Sequence, residues 1–323
     1  MKDLNINLKL QMNKSSILFH IGYHKTGTSW LQKEFFENPV TEINSLAKYN
    51  ERPKWVTEFV KPFYLYDENK VIGYVNQSYK KNKLNVFSLE RLSGYPSTGG
   101  YDSLEIAYRL KSLFPNAKVL IVVREQKSMI RSHYIEYLKA NGAEKLEELF
   151  TPKRFYLIRN PTFNLEFFNY NHLINKYDEL FSKDNVLVLP FELMKDRPDL
   201  FIDRIFNFCQ IKDYEKIIKQ LPLQEKVNQQ IPLKKAYLNR TFSRLFGSNN
   251  SLITLTDNKY LKFLFNKLYR NLPIDFDDKL NSEIDNMLEK YIPAEYFKKS
   301  NNILERRINH HSSIDLKQLG YEK

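Results

Sequence analysis

The 323-residue chain is 42% hydrophobic and 27% charged, the ordinary balance of a soluble globular protein, with enough apolar material for one large α/β domain or two small ones. Its 50 Lys and Arg outnumber 38 Asp and Glu, a formal surplus of +12 that draws anionic ligands such as nucleotides, acidic glycans, nucleic acid or anionic lipid, unless it merely coats a Lys-rich surface. The lone cysteine, Cys209, excludes an intrachain disulfide, and no run approaches the roughly 18 apolar residues of a membrane-spanning helix.

Residues 1–16 are polar, are expected to be flexible, and hold no apolar core of a secretory signal, which favours a cytoplasmic enzyme. Ile17 to Gly22 is an apolar run that stops at a glycine, as a parallel strand buried on both faces does. Thr26 to Phe36 carries Trp30, Leu31, Glu34 and Phe35 at helical spacing and ends at Asn38-Pro39. Leu84 to Leu89 is a second strand, followed by a turn-rich stretch from Ser93 to Gly100. Ser103 to Phe114 reads as a helix stopped by Pro115. Lys118 to Arg124 is the clearest strand, rich in Val and Ile.

A helix is expected from Gln126 to Lys139, capped at Asn141-Gly142, and another from Asn164 to Phe181. Asn185 to Pro190 is a fourth strand. Pro198 opens a helix that runs to about Cys209, itself expected to be a buried small hydrophobe. Beyond about Ile211 the strand signals fade and the rest reads as helical. Strands alternating with helices predict an α/β, P-loop-like three-layer fold: a central, mainly parallel sheet flanked by helices, with a helical C-terminal part. No repeat or linker interrupts it, so 1–323 is expected to be a single domain.

The turn after the first strand reads His20-Ile21-Gly22-Tyr23-His24-Lys25-Thr26-Gly27-Thr28-Ser29-Trp30-Leu31. Gly22 and Gly27 have the G-x-x-x-x-G spacing of a phosphate loop, but the K-[ST] pair of a Walker A loop is replaced by Thr28-Ser29, and the lysine lies earlier, at Lys25. A loop entering a helix aims free backbone N–H groups at one spot, where the helix dipole favours an anion. Gly27 permits close backbone approach, Thr28 and Ser29 add hydroxyls, and Lys25 adds charge. The displaced lysine argues against an ordinary ATP or GTP hydrolase, whose loop lysine follows the second glycine directly.

This segment resembles the 5′-phosphosulfate loop of sulfotransferases that use 3′-phosphoadenosine 5′-phosphosulfate (PAPS), roughly K-x-G-T-[TS]-x-L, in the version associated with bacterial and carbohydrate sulfotransferases. The resemblance implies a PAPS site on Lys25, Thr26, Gly27, Thr28, Ser29 and Trp30, with 3′-phosphoadenosine 5′-phosphate (PAP) as product. It also implies a second motif, a strand-end Arg with a Ser eight residues on, matched by Arg124 and Ser132 and meant for the 3′-phosphate. Arg suits a phosphate dianion through its planar fork. Arg131 on the same helix is expected to be solvated. Residues 224–240, with Lys234, Lys235 and Arg240, are candidates to cover the nucleotide, whereas the family's R-K-G-x-x-G loop is absent.

The implied catalytic residues are Lys25, for the leaving phosphate, and a base that is either Glu90 or His24. Glu90 sits in Ser88-Leu89-Glu90-Arg91-Leu92-Ser93, which looks like the S-x-E-x-L-S element of the family. The competing view of Glu90 is a surface carboxylate paired with Arg91 or Arg124. His20 is expected in the core, His133 and His172 carry no functional signal, and the His310-His311 pair is expected in an exposed tail, with an acceptor-facing position as the alternative. Tyr296 to Leu304 and Asp315 to Tyr321 look like the S-N-x-x-L helix and D-L-x-x-x-G-Y tail of bacterial members and are read as packing.

The expected activity is therefore sulfuryl transfer by in-line displacement to an acceptor hydroxyl, on a glycan or glycolipid, with no metal required, no nucleic acid partner and room for peripheral membrane contact. The alternatives are a P-loop kinase of a nucleotide or small molecule, and a non-catalytic basic protein binding glycan or nucleic acid.

Overall fold

In the computed structural model of the chain, residues 17–48, 50–153, 161–224, 240, 241, 243, 263 and 276–322 are described. Residues 1–16, read as a flexible terminus, and Lys234 and Lys235 of the expected nucleotide cover lie outside these.

Five strands form one parallel sheet in the order β2-β3-β1-β4-β5. They are β1 (Ile17–His20), β2 (Asn44–Ser45), β3 (Asn85–Ser88), β4 (Lys118–Val123) and β5 (Val186–Pro190). Parallel neighbours need crossovers, and helices supply them. Between β1 and β3 lie α1 (Thr28–Trp30, continuing as a π-helical stretch, Leu31–Phe36), α2 (Arg52–Phe59) and α3 (Glu68–Ser78). Next come α4 (Ser103–Leu113), α5 (Gln126–Lys139), α6 (Leu146–Phe150) and α7 (Asn171–Phe181). After β5 follow α8 (Phe191–Asp196), α9 (Pro198–Phe208), α10 (Glu215–Ile218), α11 (Phe276–Tyr291) and α12 (Lys298–Ile308).

The apolar runs are continuous because both faces of the sheet are covered, and successive side chains go to opposite faces. Phe19, Phe87, Val119, Ile121 and Val188 enter one core with Trp55 and Phe59 of α2, Ile106 of α4, Ile174 of α7 and Leu304 of α12. Leu18, Val86, Leu120, Val122, Leu187 and Leu189 enter the other with Leu31 and Phe35 of the first crossover and Phe201, Ile205 and Phe206 of α9. Each fully buried side chain of this size contributes about 1.5–3 kcal/mol, so the sheet is held from both sides. Trp55 stacks on Phe87 at 4.6 Å between centroids. This is the expected three-layer α/β arrangement, with α11 and α12 as its helical C-terminal part.

Some boundaries differ from the expected ones. The helix expected over 164–181 begins as a separate 3-10 turn, Leu165–Phe168, in which the Asn164 side chain accepts from the Glu166 N–H, and the true helix starts only at Asn171. The edge strand β2, polar and two residues long, pairs with β3 through Asn44↔Asn85. His20 lies in the core as expected, its Nδ1 2.8 Å from Ser88 Oγ. Cys209 is buried. Among the described residues, no helix is long and apolar enough to cross a membrane.

Candidate active site

After β1 the chain stays beside β4 for three more residues, with Ile21 N–H donating to Leu120 O (3.0 Å) and Tyr23 N–H to Val122 O (2.9 Å). It then turns sharply. Lys25 has φ 64° and Gly27 φ 78°, both left-handed. At Gly27 a Cβ would stand 2.9 Å from Met194 Sδ and 3.0 Å from the Phe191 ring, so the position requires glycine. Lys25 accepts the same conformation at a cost of about 1–3 kcal/mol, because its carbonyl is gripped by Arg124 Nη1 at 3.0 Å. The Thr26 hydroxyl donates to Tyr23 O at 2.5 Å and is fully buried. It braces the loop from within, leaving only the Thr26 backbone for a ligand.

Gly27 O accepts from Trp30 N–H and Leu31 N–H, and no side chain caps the helix start, so its first N–H groups have no intrahelical acceptor. In the same segment, Thr28 Oγ1, Trp30 Nε1 and His24 Nδ1 are buried without a hydrogen-bond partner among the described residues. A buried polar group left unpaired costs about 1–3 kcal/mol, and three lie within seven residues here, a set open to hydrogen bonds from a ligand. Ser29 is half-buried beside them.

Arg124 at the end of β4 supplies the second cation. It stacks over the Phe191 ring at 5.3 Å, and its carbonyl accepts from the Tyr170 hydroxyl at 2.6 Å. Burial pulls its pKa below the ordinary value, opposed by Glu192, Tyr170, Glu125 and Tyr321; a guanidinium keeps its charge regardless. Ser132 is half-buried on the second turn of α5, and its hydroxyl makes no hydrogen bond among the described residues. Arg131 is not simply solvated: it pairs with Asp285 and Asn281 of α11.

Glu90 opens the 3-10 turn Glu90–Ser93 directly after β3. It is half-buried, and burial raises its pKa, countered by its own backbone, Arg52 and Lys25. The surface-pair view of this carboxylate fails. Arg91 forks onto Asp102, one bond being 3.1 Å, Arg124 holds Lys25 O, and Glu90 has no ion pair among the described residues. His24 packs edge-on against Tyr95 (5.4 Å) and His133 (6.4 Å). Burial, then His133, Arg91 and Lys25, lower its pKa to about 3, so its ring is neutral.

Several participants were not singled out in the sequence. His133, one residue beyond Ser132, is buried with Nε2 2.9 Å from Ser97 Oγ, and a lone histidine in a helix gives no warning of that. Gln32 Nε2 donates to Ser88 O (2.9 Å), and its Oε1 accepts from Arg52 (2.7 Å), whose guanidinium also pairs with Glu37. This buried chain fixes the strand end that presents Glu90. Lys25 Nζ lies 3.2 Å from Glu136 Oε2 of α5. Among the described residues no group of three or more His, Cys, Asp or Glu is arranged to hold a metal ion.

The arrangement combines a cupped loop whose lysine pairs with Glu136, a guanidinium fixed beside it, and a half-buried carboxylate in the field of that lysine. It suits transfer of an anionic group from a doubly anionic donor to a hydroxyl. The family model described as the sulfotransferase domain matches residues 16–244, a span that includes the loop, Glu90, Arg124 and Ser132. Similar solved structures include a sulfotransferase from Alicyclobacillus acidocaldarius, 16% identical over 80% of this chain and 99% of that one, with a TM-score of 0.48. A mouse sulfotransferase solved in complex with PAP is 17% identical over 92% of this chain and 89% of that one, TM-score 0.38. The sulfotransferase domain from the curacin biosynthetic pathway is 13% identical over 85% and 96%, TM-score 0.38. The sequence matches no curated protein significantly.

Proposed function

The chain belongs to the sulfotransferase domain family, matched over residues 16–244, and from that footing we propose that it moves a sulfuryl group from PAPS to a hydroxyl of a glycan or glycolipid by in-line displacement. PAPS supplies a sulfuryl group already activated by its bond to a phosphate. The observation that carries the reading is the set of orphaned buried groups at the first turn, Thr28 Oγ1 and Trp30 Nε1, beside the bond from Arg124 to Lys25 O.

Loop amides, Thr28 and Ser29 hold the 5′ end of the donor, with Trp30 lining the nucleotide. Arg124 and Ser132 hold its 3′-phosphate. Lys25 exchanges Glu136 for the donor and neutralises charge gathering on the leaving phosphate. Glu90, its carboxylate poised above the ordinary range, removes the acceptor proton; neutral His24 is the second candidate for that role. The chain is read as one domain, and in support of that α12, although it lies beyond residue 244, packs on β5.

The glycan acceptor is supported by exposed tyrosines on the turn-rich stretch that follows Glu90. Tyr95 contacts His24 yet is 38% exposed, and Tyr101 is 64% exposed, offering rings to stack on sugar faces. The basic surplus of the chain favours an acidic glycan. Incubating the protein with sulfur-labelled PAPS and a panel of capsular polysaccharide, lipopolysaccharide and small hydroxylated compounds tests this. Label should pass to a saccharide. Transfer only to small non-sugar hydroxyls would overturn the acceptor, and phosphate transfer from ATP with Mg²⁺ in its place would overturn the activity.

A further inference from the structure

We propose that Tyr321, acting through Glu192, is a positioning residue for Arg124, so that the segment from α12 to Glu322 sets the strength of the 3′-phosphate site. The inference rests on the reading of Arg124 given above.

Tyr321 is 2% exposed. Gly320, at φ 89°, turns the chain inward, and the Tyr321 hydroxyl donates to Glu192 Oε2 at 3.0 Å. The other oxygen, Oε1, accepts from the Glu125 N–H at 3.0 Å. Glu125 adjoins Arg124, and its own carboxylate caps α5 through Lys127 N–H (2.9 Å) and Ser128 N–H (2.7 Å). Fixing Glu125 therefore fixes both Arg124 and the helix that carries Ser132.

The tail is anchored independently. Buried Asn301 accepts from Gln126 Nε2 at 2.6 Å and donates to Glu322 O at 2.9 Å, and Lys127 Nζ meets Glu322 Oε1 at 2.6 Å. Asn171 bonds Ser300 twice, at 2.7 and 2.8 Å. The S-N-x-x-L and D-L-x-x-x-G-Y patterns thus meet at the start of α5.

The consequence is electrostatic. Glu192 is the foremost negative charge acting on Arg124, yet the two form no ion pair among the described residues. Both Glu192 oxygens are occupied, one by the Glu125 backbone and one by Tyr321. Without the Tyr321 hydroxyl, Oε2 is free to accept from the guanidinium, and a carboxylate paired with Arg124 competes directly with an incoming phosphate. Tyr321 keeps Arg124 available.

Tyr321→Phe retains the buried ring and removes only the hydroxyl. By titration calorimetry, the Kd for PAP should rise about two- to tenfold, the worth of one hydrogen bond, and the Kd for adenosine 5′-phosphosulfate, which lacks the 3′-phosphate, by a distinctly smaller factor. Adding Glu192→Gln to Tyr321→Phe should restore PAP affinity, because an amide cannot form the competing ion pair. Equal loss for both nucleotides, unchanged PAP binding in Tyr321→Phe, or no rescue by the second substitution overturns the inference. Absence of PAP binding by the wild-type protein overturns the reading beneath it, and the inference with it.

Discussion

Arg124 donates from its guanidinium to the carbonyl of Lys25, 3.0 Å away and 99 residues earlier in the chain. One side chain thereby secures a left-handed lysine in the first loop and stands ready for an anion of its own. The first loop and the end of β4, the two places proposed to take anions, are therefore coupled mechanically.

A lysine at 124 can offer one point charge but not both tasks. Arg124→Lys is expected to weaken PAP by about tenfold to a hundredfold, the range for hydrogen bonds to charged groups. The loss should extend to adenosine 5′-phosphosulfate in smaller measure, because the Lys25 turn loosens too. Calorimetric titration of both nucleotides checks it.

Thr28 carries a buried hydroxyl with no partner among the described residues. Thr28→Val removes it without changing the shape, so the unliganded protein should become more stable by about 1 kcal/mol while PAP affinity falls. Melting curves with and without PAP would show the two changes with opposite signs. Destabilisation of the free protein would mean that the hydroxyl is satisfied after all.

The two candidate bases differ in where they titrate. A base must be deprotonated to work, so kcat/KM rises with pH through its pKa. Glu90, raised by burial above its ordinary 4.5, puts that limb above 4.5; His24, lowered to about 3, puts it there. Glu90→Gln should abolish the limb and cut kcat by about 10²–10⁴ with PAP affinity nearly unchanged. A profile flat down to pH 4, with Glu90→Gln still active, would assign the role to His24.

His20 is held neutral in the core, its pKa lowered to about 3 by burial. Between about 6.5 and 3 the unfolded chain binds a proton that the folded chain does not, so stability falls as pH drops through that window. At pH 5 the loss from His20 is about 2 kcal/mol, and His24 and His133 act in the same direction. His20→Asn, which preserves a polar atom for Ser88, should flatten the fall in Tm between pH 6.5 and 5. An unchanged slope would show that His20 does not carry it.

Much of this was legible in the sequence where local pattern and tertiary role coincide. Parallel strands covered on both faces must be unbroken apolar runs, and Lys118–Val123 could be little else. Gly27 was legible because the tight turn admits no side chain. Asn44–Ser45 was not, since a two-residue edge strand has no periodicity. Gln32, Arg52 and Ser88 form one hydrogen-bonded chain across three elements, and His133 meets Ser97 36 residues away. Such pairs exist only after the crossovers have folded, and no spacing announces them. Glu90 was visible as a strand-end carboxylate, but its freedom from Arg91 depended on Asp102 claiming that arginine first.

The loop and Arg124 are together proposed to receive a nucleotide with phosphates at both ends. The most direct test is the melting temperature with PAP in the absence of added Mg²⁺, set against ATP with Mg²⁺. PAP alone should raise Tm in a concentration-dependent way, as ligand linkage requires, and Lys25→Ala and Arg124→Ala should each diminish the rise. Stabilisation by ATP with Mg²⁺ and none by PAP would contradict the account.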